Sequence, residues 1–110
     1  MISPEQWSTI RDLVAWLNAE NGYSPDEISL RILKLSEEVG EAAQAWIGVR
    51  GQNPRKGVTH TTTDVADELC DVIVTAAVAL ASISDDPEEH LRAKLAKIAS
   101  RPRTPETVTA

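Results

Sequence analysis

A chain of 110 residues suits one domain, and 42% hydrophobic with 25% charged residues is ordinary for a globular fold. Phenylalanine is absent and tyrosine occurs once, so the core must be aliphatic, with three tryptophans to be placed. Eleven basic against seventeen acidic residues leave a net charge of -6, which argues against a general binder of nucleic acid or anionic membranes and suits a protein that takes up divalent cations.

The sequence predicts an all-α domain over residues 1–100, followed by a flexible, proline-broken C-terminal tail over 101–110. Its start, MISPEQWSTIRD, lacks the basic and apolar regions of a signal peptide. A first helix opens with Ser3 as N-cap and Pro4 at the first helical position, and Gly22 closes it. Its apolar period is Trp7, Ile10, Leu13, Val14 and Leu17. Trp16 falls on the opposite side, where it either packs on a partner chain or stacks on a base.

A second helix begins at SPDE, with Ser24 as N-cap and Glu27 completing a capping box, and runs to about Gly48. Ile28, Ile32, Leu35, Val39, Ala42, Ala43 and Trp46 form the stripe expected to be buried, and Trp46 is assigned to the core with it. GVRGQNPRKGVTHTTT then reads as a long loop, either a functional flap or a disordered surface connection.

A third helix starts near Asp64, capped by Thr62 or Thr63, and reaches about Ser82. Its stripe is Val65, Leu69, Val72, Ile73, Ala76, Leu80 and Ile83, and its second half is apolar nearly all round. Such a helix wants burial on every side, so a homodimer is the minimum assembly expected. Its apolar run is too short and alanine-rich to span a bilayer. A fourth helix is capped by Asp86, begins at Pro87 and turns Leu91, Leu95 and Ile98 inward. Cys70 is the only cysteine, which excludes an internal disulfide and fits a reducing, cytoplasmic setting.

The chemistry lies in the acids. Glu38 and Glu41 are three residues apart and share a helical face, as do Glu68 and Asp71 on the next long helix. Packed side by side, the two helices would gather four carboxylates, and such a cluster needs a counter-charge. Hard oxygen ligands suit Mg²⁺, with Mn²⁺ as a substitute. Neither His60 nor His90 forms a Glu-x-x-His pair, which argues against a di-iron site. Against the metal reading stands the common solvated acidic helix face.

EEVGE, followed after a loop by ELCD, resembles the E-E-x-x-E and E-x-x-D signature of the MazG-like nucleotide pyrophosphohydrolases, within the all-α NTP pyrophosphatase superfamily. The resemblance covers about residues 28–100. It implies a four-helix MazG-like bundle completed by oligomerisation, as a dimer or a dimer of dimers. It implies hydrolysis of a nucleoside triphosphate at the α–β phosphoanhydride to monophosphate and pyrophosphate.

Under that resemblance Glu38, Glu41, Glu68 and Asp71 are the Mg²⁺ ligands, and Glu37 ligates the metal or orients the attacking water. Lys34 is either a phosphate contact or a simple i,i+4 partner of Glu38. Lys94 is the best phosphate contact on the fourth helix, with Arg101 behind it, and Arg55 and Lys56 in the loop are further substrate contacts. Trp16 becomes a base-stacking candidate. The chain departs from the family in having Thr75 one turn after Asp71 and no asparagine in the fourth helix, which leaves the phosphate grip less defined than the metal site. A non-catalytic helical assembly module is the competing reading, and a phosphoribosyl-ATP pyrophosphohydrolase a third.

Overall fold

A computed structural model describes residues 1–105. Among them all regular structure is helical: α1 (Pro4–Asn21), α2 (Pro25–Arg50), α3 (Thr62–Ile83) and α4 (Pro87–Ala99). Residues 101–105 are exposed and outside any helix; the rest of the expected tail, 106–110, lies outside the described residues.

The helix starts follow local capping chemistry. Ser3 and Gln6 form a complete capping box at α1, and Gly22 closes it at positive φ. At α2 the Ser24 hydroxyl accepts from the Glu27 N–H, but the box stays half made. Glu27 turns instead to Arg31, whose Nε donates to it at 2.6 Å. The α3 cap is Thr61, one residue before the expected pair. Its hydroxyl accepts from the Asp64 N–H while its own N–H donates to the Asp64 carboxylate. Thr61 is the threonine with an acid three residues on, the spacing a capping box requires.

The helix α2 overruns its expected end by two residues and stops at Gly51, which is left-handed (φ 59). The following loop folds back on its own helix, with the Thr59 N–H donating to the Gly48 carbonyl at 3.0 Å. A Cβ on Gly48 would stand 2.1 Å from His60 Nδ1, so only glycine admits this close approach.

Two packing regions hold the helices. Near the C-terminal half of α3, Trp7 (2% exposed), Ile10 and Ala77 form the buried core, with Leu80, Ala81 and Leu91 against it. This confirms Trp7 as core. Along the seam between α2 and α3 the contacts are small, Ala42 and Ala45 of α2 being buried there. The two helices run antiparallel: Arg31, early in α2, donates to Ser82 at the end of α3.

The buried face of α2 is Arg31, Glu38, Ala42 and Ala45, rotated from the stripe expected of it. Ile32, Val39 and Trp46 are exposed, Trp46 by 51%, which corrects its assignment to the core. The same holds on α3, where Leu69, Ile73 and Ile83 face outward, and on α4, where Leu95 and Ile98 are exposed. The cause is that α3 meets α2 through small residues, so the bulkiest apolar positions lie beside the seam. The radius of gyration is 18.2 Å, well above the roughly 13 Å of a compact domain of this length. One chain is thus an open arrangement of four helices, and α3 is not enclosed within it.

Candidate metal centre

Glu38 and Glu41 sit three residues apart on α2, and Glu68 faces them from the antiparallel α3. One carboxylate oxygen from each lies within 4.8 Å of the others. Glu38 is buried at 9% exposure, and Glu41 and Glu68 are half-buried. Glu68 Oε2 is buried and accepts no hydrogen bond from the protein. A buried carboxylate oxygen without a donor, beside two more carboxylates, costs both desolvation and repulsion. The donor set is all hard oxygen, so the residues present could hold a hard metal cation.

The seam explains how the acids come so close. Ala42 and Ala45 follow Glu38 and Glu41 on the α3-facing side of α2, and small residues let the two backbones approach. Bulky side chains there would hold Glu68 away.

Asp71, the fourth expected ligand, is exposed and lies outside the group of three, one turn beyond Glu68 on α3. Glu37 is exposed and points off the seam. Lys34 Nζ stands 3.5 Å from Glu38 Oε1 and 4.0 Å from Glu37 Oε1, so the i,i+4 pair read from the sequence is made. The same lysine lines a groove.

That groove, with a cavity volume of about 330 Å³, runs between α1, α2 and α3. Its walls include Leu13, Trp16, Leu30, Val74 and Thr75, with Lys34 leading toward the acids. Trp16 is 60% exposed, so within the chain it has surface left for another group. Arg55 and Lys56 are exposed in the loop after α2, and Lys94 on α4 and Arg101 just after it are exposed as well. None of these four lines the groove. Cys70 is exposed and lines a second groove, between α1 and α3.

Sequence reasoning missed Arg31, one wall of the first groove. It is buried, and its guanidinium donates to Glu27, the Asn18 side chain, Ser82 Oγ and the Gly22 carbonyl. These bonds join the end of α1, the turn after it, α2 and α3 in one network. The signal was available: Arg31 lies four residues after the acid Glu27 and shares a helical face with Leu35, Glu38 and Ala42.

No family model, curated protein or solved structure matches the chain.

Proposed function

We propose that the chain is a Mg²⁺-dependent nucleoside triphosphate pyrophosphohydrolase of the MazG-like kind. It would cleave the α–β phosphoanhydride of a (d)NTP, water adding as the bond breaks, to give a monophosphate and pyrophosphate. The observation that carries this reading is the convergence of Glu38, Glu41 and Glu68, with Glu68 Oε2 buried and lacking a donor. Those three would hold the ion, with Asp71 joining from the next turn. The ion, when bound, supplies counter-charge and polarises the phosphates.

The other roles belong to the chain's own groups. Lys34, at the mouth of the groove, meets phosphate oxygens and exchanges its contact with Glu38 for them. Glu37, exposed beside the cluster, orients the attacking water and takes its proton. Trp16 offers a face on which a base stacks, and the apolar groove walls exclude water from it. Thr75 adds a hydroxyl to the same wall. Lys94, Arg101, Arg55 and Lys56 are further cations for the polyphosphate that a second chain would bring closer. The working unit is a homo-oligomer, dimer or dimer of dimers, acting in nucleotide-pool housecleaning in the cytoplasm.

The test is incubation with canonical and modified NTPs and dNTPs, with Mg²⁺ or EDTA, and chromatography of the products. Metal-dependent release of monophosphate and pyrophosphate is expected, with Glu38→Gln at background. Orthophosphate with a diphosphate would sink the assigned scissile bond, and no turnover on any nucleotide would sink the reaction. The exposed apolar side chains of α2 and α3 favour a second reading, an assembly module that keeps the fold without catalysis. Failure to bind Mg²⁺ or Mn²⁺ stoichiometrically would favour it.

A further inference from the structure

The groove beside the acids has two unlike ends. Its outer end is Lys34, which reaches Glu38. Its inner end lies at the turn between α1 and α2, where Asn21, Glu27 and Arg31 line it. Between these ends the walls are apolar, with Trp16, Leu30 and Val78 among them. Glu27, Arg31, Lys34, Glu38 and Glu41 follow one another at three- and four-residue steps, so they share one face of α2. Along that face Glu27 stands about 10 Å from Lys34 and about 16 Å from Glu38. A nucleotide whose phosphates meet Lys34 and the acid-held ion therefore points its base toward Glu27.

The two charged groups at the inner end differ in what they have left to offer. Arg31 is nearly spent. Its Nε donates to Glu27, Nη1 to the Asn18 side chain and to Ser82, and Nη2 to the Gly22 carbonyl. Those bonds use all but one of the five N–H of a guanidinium. Glu27 is only half used. In a forked pair Nη2 would meet the second carboxylate oxygen. Here Nη2 turns to Gly22, and among the described residues Glu27 Oε1 accepts no hydrogen bond. Among the same residues Glu27 is the one carboxylate in the groove wall.

A carboxylate accepts hydrogen bonds and donates none. The complement of Oε1 is thus an N–H projecting from the edge of a ring that lies against Trp16. Cytosine, adenine and guanine each carry an exocyclic amine of that kind. Uracil sets a carbonyl oxygen in place of the amine of cytosine, and hypoxanthine does so in place of that of adenine. Either oxygen would face the carboxylate, with repulsion instead of a bond. Apolar walls keep water from making good the loss, so the wrong base leaves Oε1 unpaired.

We infer that Glu27 is the residue that selects the base, and that the groove takes nucleotides whose base carries an exocyclic amine. This rests on the base-binding part of the proposed function, and its test needs neither metal nor turnover.

The probes are nucleosides, which lack phosphate: cytidine against uridine, and adenosine against inosine. Each is titrated into the full chain in EDTA and followed by the NMR shifts of Trp16 and Leu30. In whichever pair binds more tightly, the amino member should bind at least roughly tenfold better than its carbonyl counterpart. Glu27→Gln should bring the two within about twofold, since an amide can turn either its N–H or its carbonyl to the base. Trp16→Ala should weaken both members alike and keep their ratio, because stacking does not read the edge. Circular dichroism checks that each variant keeps its helices. Equal affinities within both pairs, or no binding of any nucleoside, would overturn the inference on the wild type alone. A ratio unchanged in Glu27→Gln would also overturn it, leaving Glu27 only to hold Arg31. An amine preference in a chain that hydrolyses no triphosphate would sink the catalysis and leave the inference standing. Hydrolysis of UTP and ITP as efficient as that of CTP and ATP would do the reverse.

Discussion

The two ends of α3 are packed by opposite means. Toward its C-terminus, Ala77 receives Trp7 and Ile10 from α1, and Leu91 of α4 closes the contact. Toward its N-terminus, Glu68 faces Glu38 and Glu41 across a seam of alanines. The first end gains stability from apolar burial. The second places three like charges in a partly dry space, an arrangement that costs the fold free energy unless a counter-charge meets them. One helix thus carries both the anchor and the site, and the anchor supplies the stability that the site spends. The Arg31 network lies beyond the anchor, at Ser82, and ties α1, α2 and the end of α3 together.

The two ends of α3 differ most at Trp7. Its side chain is 2% exposed and is the largest one fully buried. Trp7→Ala should cost about 3–5 kcal/mol, a large share of the roughly 5–15 kcal/mol that a domain of ordinary stability possesses. Urea melts read this directly. A loss under 1 kcal/mol would mean that the Trp7 cluster is not the anchor.

At the other end the sign reverses. In EDTA, Glu68→Gln removes one of three converging charges and sets an amide donor beside the Glu38 and Glu41 carboxylates. It should stabilise the protein by about 1–3 kcal/mol. Added Mg²⁺ should then raise the melting temperature of the wild type and leave the variant where it was. Destabilisation by Glu68→Gln in EDTA would show that the acids are structural partners rather than an open ligand set.

These two ends were unequally legible in the sequence. Helix starts were readable because a cap is local chemistry: Ser3–Pro4, Ser24–Pro25 and Asp86–Pro87 each announce a start within a few residues. The pairing of Glu38 and Glu41 with Glu68 was readable too, because i,i+3 spacing on two neighbouring helices needs no tertiary knowledge. The rotation of each helix was not. Periodicity finds the most apolar face, and on α2 that is Ile32–Val39–Trp46; the chain buries the neighbouring face of Arg31, Glu38 and Ala42. A hydrophobic stripe reports what wants burial, and says nothing of whether its own chain or another provides it. Arg31 was missed for the same reason, since the geometry that satisfies its guanidinium comes from Asn18, Gly22 and Ser82, scattered along the sequence.

The smallest expected effect lies at the start of α3, the end nearer the acids. The backbone N–H of Thr61, aided by its hydroxyl, holds the Asp64 carboxyl below its ordinary value of 3.8. A carboxyl depressed in the folded state contributes stability above its unfolded pKa and loses it as the pH falls through the folded one. Asp64 is fully exposed, so solvent screening keeps the contribution local to the first turn of the helix. Amide exchange at Thr61 and in the turn that follows should therefore quicken as the pH drops below about 3.8, after correction for the intrinsic rate. In Asp64→Asn that step should vanish, while exchange near Trp7 should follow the same course in both proteins. An acid-induced step of equal size at both ends of α3 would show that the helix opens as one unit, and the division between anchor and site would not extend to its dynamics.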